Sequence, residues 1–427
     1  MVKRLVHYVI LAAVLVGVPL ACCWLGGYES MLEGVKQFPP RTEDWGLHPE
    51  NLWNVRRPFS WGVFVGMALF TFVCMFPLVR RCCRAMRQPA KSSIDNLSIV
   101  NCQGDRRAID NCVIDDCQGD AIDNCVIDDC QGGIRTFEHS NIRTFPRWGW
   151  AGVILLIVSW VIAWNRFEIF RSHNLQVMLS YFPIWIGFIL TMNALTKWRS
   201  GRCPLTDHPG LYLATFPASA LFWWFFEYLN RFVWNWYYLG VGGLSAAEYV
   251  VYATLCFASV LPGVYAVAEF LGTFRFFDDR NCDGMAKVNV RSTTSRIVLA
   301  ILSAVGLVGI VFCPDYVYPF LWISPLMVFV LVQVLLKEPS VLDRLALGSW
   351  GLVFRFEVAA LCCGFCWETW NYYALAKWVY AVPWVHGFQI WEMPLIGFAG
   401  YLPFGVECAA VIAWIYGKSF DRLEKGV

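Results

Sequence analysis

Charge is what this sequence has least of. Asp, Glu, Lys and Arg make up 15% of its 427 residues, against about 25% in a soluble globular domain. The apolar residues fall in long runs, so an ordinary soluble globule is excluded. The net charge of +2 gives no electrostatic argument for a nucleic-acid partner. Also missing are a P-loop, GxSxG, HExxH and CxxCH. ATP hydrolysis, the commonest hydrolase mechanisms and haem attachment therefore have no support, and no cofactor is expected.

What is there is hydrophobic: 58% of the chain, with a mean hydropathy of +0.49. Runs of about 20 apolar residues are the length that crosses a bilayer. They occur near 5–25, 60–79, 148–164, 177–196, 211–234, 249–272, 297–313, 317–336, 350–373 and 391–416. The Lys and Arg between them (Arg80 and Arg81, Lys197 and Arg199, Arg291 and Arg296, Lys337 and Arg344, Lys418 and Arg422) all fall on one side of a ten-span topology. By the positive-inside rule both termini are expected in the cytoplasm. The first run, ending in PLACC, has an alternative reading as a signal peptide or lipobox.

The chain repeats itself within the membrane part. FFEYLNRFVWNWYY matches CWETWNYYALAKWVY, aligning Glu227, Asn230, Trp236 and Tyr238 with Glu368, Asn371, Trp378 and Tyr380. Further on, Glu248 corresponds to Glu392, and Glu269 and Glu407 follow the aligned Pro262 and Pro403. The expected fold is an all-α polytopic membrane protein of about ten transmembrane helices, with two parallel four-helix repeats. The divisions are 1–79 (two N-terminal helices), 80–147 (a small Cys/Asp-rich cytoplasmic insert), 148–273 and 297–417 (the repeats), 274–296 (a cytoplasmic linker) and 418–427 (a tail).

An even number of spans per copy relates the copies by an axis along the membrane normal. One polar cluster is then expected near the outer face, built from Glu227, Asn230, Glu368 and Asn371, with Glu248 and Glu392 opening later spans beside it. Glu269 and Glu407 form a second, inner acidic pair. Residues three apart share a helix face, so each Asn is placed to donate to its Glu or to a ligand there. A lone carboxylate at the bilayer centre costs about 2.5 kcal/mol or more; it must be protonated, paired or wet, and Arg231 and Lys377 are available as partners. The same residues have a purely structural reading, as interhelical hydrogen bonds.

The insert is made of near-identical units, IDNCVIDDCQGDA followed by IDNCVIDDCQGG. Cys102, Cys112, Cys117, Cys125 and Cys130 among Asp115, Asp116, Asp128 and Asp129 leave three readings open: an unstructured loop, a solenoid-like cap and a metal site. In CCGFC, Cys362, Cys363 and Cys366 are expected as small apolar packing residues of a span, with a redox role as the alternative. His173 and His386 lie in outer loops.

The stretch WNYYALAKWVYAVPWVHGFQIWEMPLIGFAGYLPFGVE resembles the lycopene-cyclase domain of bacterial and archaeal membrane proteins, a repeated multi-span unit. The matching positions are Trp370, Asn371, Ala374, Trp378, Tyr380, Pro394 and Leu395. The paired acids that follow the proline in that family are replaced by Ile396 and Gly397, with Glu392 before it. The resemblance implies a bacterial or archaeal cytoplasmic membrane.

Three functions are consistent with these features. The first is an enzyme acting on a lipid or isoprenoid, with Glu227 and Glu368 as acids, Asn230 and Asn371 orienting them, and Trp236, Tyr238, Trp378, Tyr380, Glu248 and Glu392 as the pocket. The second is a proton- or cation-coupled transporter relaying between the acidic layers. The third is a membrane scaffold or assembly subunit. Membrane lipids are expected partners in all three, and a hydrophobic small molecule in the first.

Overall fold

The computed structural model describes residues 2–27, 60 with a few positions between 61 and 73, 144–165, 175–241, 244–277 and 285–417. The chain divides into two units, 1–81 with 144–427, and 82–143. The second unit, which carries the Cys/Asp repeats, lies outside the described residues, as do His173, the 418–427 tail and most of the 60–79 run.

The described chain is mostly helical, with helices where the apolar runs are. They are α1 (Val2–Leu25), α2 (Arg147–Asn165), α3 (Leu175–Ser200), the short α4 (Pro204–Asp207) and α5 (Pro209–Val233). After a strand β1 (Trp236–Leu239) come α6 (Ala246–Phe257), α7 (Val260–Gly272), α8 (Thr293–Phe312), α9 (Pro314–Val317) and α10 (Ser324–Leu335). Then follow α11 (Gly351–Tyr372), strands β2 (Lys377–Tyr380), β3 (Gln389–Ile390) and β4 (Met393–Pro394), and α12 (Tyr401–Tyr416).

Among the described residues, four helical segments are long and apolar enough to cross a membrane: Arg147–Trp164, Ala246–Gly272, Thr293–Phe312 and Leu395–Tyr416. The pair Pro314–Trp322 and Ser324–Leu335, bent by 52°, makes a fifth if it is one span.

The all-α expectation needs one addition, since β1 and β2 pair antiparallel and β3 and β4 form a tiny hairpin. Trp, Tyr and Val suit a pleated surface, and they supply three of the four residues of β1 and of β2. Pro394 donates no ladder hydrogen bond and sits in the two-residue β4, where such a gap is tolerated.

The run at 249–272 is two helices, and the break has a chemical cause. Pro262 lacks the N–H that would bond the carbonyl of residue 258. Just upstream the Ser219 hydroxyl of α5 is inserted into the ladder: it donates to the Phe257 carbonyl (2.6 Å) and accepts from the Leu261 N–H (2.9 Å). Tyr212 of α5 then donates to the Pro262 carbonyl at 2.9 Å. α6 itself starts on a capping box between Ser245 and Glu248.

Small residues set how closely helices approach. A Cβ on Gly187 of α3 would lie 2.4 Å from the Leu156 nitrogen of α2, and one on Gly405 of α12 would lie 2.2 Å from the Phe356 carbonyl oxygen of α11. Backbone against backbone leaves no flexible atom to give way. Between α7 and α8 the described residues hold one short 3-10 turn, Arg275–Phe277, and Arg291 anchors the chain before α8 with a two-pronged ion pair to Asp343 (2.7 Å on each prong) and a bond to the Glu338 carbonyl.

Candidate functional site

Each of the two Glu/Asn pairs sits at the C-terminal end of a long helix, just before a strand. Asn230 serves as a clip. Its carbonyl accepts from the Trp234 N–H, its side-chain oxygen from the Asn235 N–H (2.8 Å), and its Nδ2 donates to the Trp236 carbonyl (2.8 Å). Trp234, at φ 54°, occupies the left-handed position that commonly ends a helix, where glycine is usual. Asn371 repeats the device on Trp378, accepting from its N–H (2.9 Å) and donating to its carbonyl (2.8 Å). The expected donation from Asn to Glu is not what these amides do. The nearest unpaired backbone groups, those where helix turns into strand, take them instead.

The glutamates collect the side chains that the clips deliver. Glu227 Oε1 accepts from Trp236 Nε1 (3.0 Å) and Tyr238 OH (2.6 Å) of β1, and from Trp223 Nε1 one turn back (3.0 Å). Glu368 Oε1 accepts from Tyr380 OH (2.7 Å) and Trp378 Nε1 (3.4 Å) of β2, and from Tyr401 OH of α12 (3.2 Å). Glu368 is fully buried, and its Oε2 has no hydrogen-bond partner. Tyr401 reaches it across Gly364, where a Cβ would lie 2.3 Å from the ring. Three donors thus meet one oxygen of each buried carboxyl group, while Oε2 of Glu368 is left unsatisfied.

The strands bring the two arrangements together. In the β1–β2 ribbon Trp236 faces Tyr380, Tyr237 faces Val379 and Tyr238 faces Trp378. Beside the ribbon is a cavity of about 140 Å³. Its walls include five indoles, Trp223, Trp236, Trp322, Trp367 and Trp378, and six phenols, Tyr181, Tyr238, Tyr249, Tyr252, Tyr380 and Tyr401. No charged side chain is among the described residues that line it. Trp223 is central to the indoles, with its ring centroid 6.4 Å from each of Trp236, Trp322 and Trp367. The volume is close to that of the roughly 150 Å³ apolar cavity that holds benzene, so the space fits one group of that size.

The remaining acids are placed differently. Glu248 is exposed and closes the α6 capping box, accepting from the Ser245 N–H at 2.7 Å. Glu392 does not open a span: it lies in the β3–β4 turn, ion-paired with Lys377. Lys377 is thus taken by Glu392 rather than by Glu368. Arg231 lies with its guanidinium 5.5 Å over the Trp234 ring and is the cation that acts on Glu227.

Of the inner acids, Glu269 stands 3.7 Å from Arg355, whereas Glu407 is buried with its Oε2 unpartnered. The four aromatics singled out in the repeat, Trp236, Tyr238, Trp378 and Tyr380, all line the cavity, while Glu227 and Glu368 lie one hydrogen bond behind it.

Sequence reasoning passed over Trp223 and Tyr401. Trp223 had a signal, four residues before Glu227 on the same helix face. Tyr401 is 33 residues from Glu368 and had none. Among the described residues no His, Cys, Asp and Glu group is arranged to hold a metal ion. Comparison with protein families, with characterised proteins and with solved structures finds no match.

Proposed function

We propose that the chain is an integral membrane protein of ten spans that holds part of a lipid or isoprenoid in the aromatic cavity and acts on it by acid catalysis. The observation that carries this reading is the cavity itself, whose wall hydroxyls on Tyr238 and Tyr380 are bonded directly to buried carboxyl groups. Protonation of Glu368 turns this bond round: the acid O–H donates to the Tyr380 oxygen and the Tyr380 hydroxyl swings to the bound group, so that as Tyr380 releases its proton Glu368 replaces it and one proton moves from glutamate to substrate. Glu227 and Tyr238 offer the same route. The lycopene-cyclase resemblance of 370–407 agrees with protonation of a double bond as the first step.

The internal repeat belongs to the same proposal. With Trp236 equivalent to Trp378 and Tyr238 to Tyr380, the pairing of Trp236 with Tyr380 and of Tyr238 with Trp378 is the register a two-fold axis through the ribbon requires. The strand Trp and Tyr donors to each Glu, and the donation from each Asn to the strand Trp carbonyl, correspond under the same operation, whereas the third donors, Trp223 and Tyr401, do not. Both termini then lie in the cytoplasm, with the cavity toward the outer face.

The partnerless Glu407 Oε2 favours a second reading, proton- or cation-coupled transport. The deciding measurement is mass spectrometry of lipid extracts from cells carrying the wild type or the Glu227→Gln/Glu368→Gln double variant. A lipid or isoprenoid that changes in amount while the variant still folds is the expected result. Identical extracts would refute the enzyme, and proton flux into liposomes would then separate transporter from scaffold.

A further inference from the structure

The polar hydrogens of the cavity wall are unusually committed. Those of Trp223, Trp236 and Tyr238 bond to Glu227, and those of Tyr380, Tyr401 and Trp378 to Glu368, Trp378 also reaching the Tyr380 oxygen. While the two carboxyl groups are ionised, six of the eleven indoles and phenols therefore withhold their donor from anything in the cavity. An anion or a carbonyl needs such donors. What these rings still offer is π surface, and a hydrogen bond from an indole or phenol to a carboxylate makes its ring more electron-rich. That is the surface that attracts a cation.

The charges nearby point the same way. No Lys or Arg is among the described residues lining the cavity. Among the described residues no cation forms an ion pair with Glu368: Lys377, on the same strand as its donors Trp378 and Tyr380, is held by Glu392. A positive group in the cavity supplies Glu368 with a counter-charge one ring away.

From these observations we infer that the cavity is a site for a small organic cation, an alkylated ammonium group of about benzene size, as in the headgroup of a choline-type lipid or amine. The ammonium sits among Trp236, Trp378 and their neighbours by cation–π attraction, and Glu368 and Glu227 act through the rings. This rests on the cavity being a ligand site and not on the acid step.

The test uses the full chain in a neutral maltoside detergent and two probes, choline and 3,3-dimethylbutan-1-ol, which places carbon where choline has nitrogen. Binding is read by tryptophan fluorescence and by calorimetry. Choline should bind saturably and at least tenfold tighter than the neutral isostere, equivalent to about 1.4 kcal/mol. Glu368→Gln should shrink that ratio severalfold while leaving the isostere unchanged.

Should that variant fail to fold, Trp378→Leu and Tyr252→Phe replace it. Trp378→Leu removes a ring and should lower the ratio, whereas Tyr252→Phe keeps the ring and should not. Equal binding of the two probes, no binding of either, or a ratio insensitive to both Glu368→Gln and Trp378→Leu would overturn the inference. Cation binding with unchanged lipid extracts would leave this site standing and remove the enzyme; altered extracts with no cation preference would do the reverse.

Discussion

The assignment of the two asparagines as backbone clips has a measurable consequence. Asn230→Ala removes the donor to the Trp236 carbonyl and the acceptor for the Asn235 N–H, both buried bonds. Each buried backbone group left without a partner costs about 1–3 kcal/mol. Two such groups, with some local relaxation, give about 2–5 kcal/mol. Asn371→Ala loses the equivalent pair on Trp378, but there the bonds are only partly buried. Water can replace some of what is lost, and about 2–4 kcal/mol is expected.

Asp in either position keeps the acceptor, loses the donor and sets an anionic oxygen against a carbonyl. It should therefore be no better than Ala. The assay is unfolding in mixed micelles followed by tryptophan fluorescence, comparing midpoints at unchanged slope. If both Ala variants fell within about 0.5 kcal/mol of wild type, or if Asp rescued either one, the clip would be wrong and the amides would be free to act on the glutamates.

Other outcomes follow from the same geometry. Glu368→Gln puts an amide where the partnerless Oε2 now lies, burying N–H groups without acceptors, and should cost about 1–3 kcal/mol in the same assay; a neutral result would mean that Oε2 meets water. Gly405→Ala forces α11 and α12 apart at the Phe356 carbonyl and should cost about 1–3 kcal/mol or more, with Ser no better; wild-type stability of either would refute the close approach.

Arg291→Lys cannot reproduce the two-pronged bond to Asp343 and should raise protease cleavage around 285–292, whereas unchanged cleavage would show the clasp to be idle. At Asp207, partial burial opposes the carboxylate, but bonds from Thr206, Lys197 and the Cys203 amide outweigh it and hold the carboxyl below its usual value. A depressed folded value stabilises above the unfolded one, near pH 4, and the benefit is lost as pH falls through the folded value. The stability gap between wild type and Asp207→Asn should thus be full at pH 6 and close at low pH; a gap independent of pH would refute it.

The parts that could be read without coordinates were those governed by local composition. Apolar runs located the helices because length and hydropathy are properties of a single segment. The Glu–Asn–Trp–Tyr spacing stood out because the clip, the carboxyl group and two of its three donors lie within twelve or so residues of one another. The hidden parts depend on distant partners. That α6 and α7 are separate helices needs Ser219, about 40 residues away, to fill the break. The place of Glu392 in a hairpin, rather than at the head of a helix, follows from its pairing with Lys377 and not from the helix-like run around it. The β1–β2 register and Tyr401 are likewise products of tertiary contact.

The design of the cavity wall argues against a scaffold alone. Phenylalanine would fill a dry gap between helices without any polar hydrogen to satisfy, and no buried glutamate would be required. Here indoles and phenols are used, and carboxyl groups that are costly to bury are placed behind them to take up their donors. The gain is orientation: each ring bonded to Glu227 or Glu368 is fixed by both its backbone and its polar tip. Fixed rings lose little freedom when a ligand arrives, which matters most where each contact is weak. On the proposed reading, a site built from such contacts has to be assembled before its ligand, and the glutamate and asparagine pairs would assemble it.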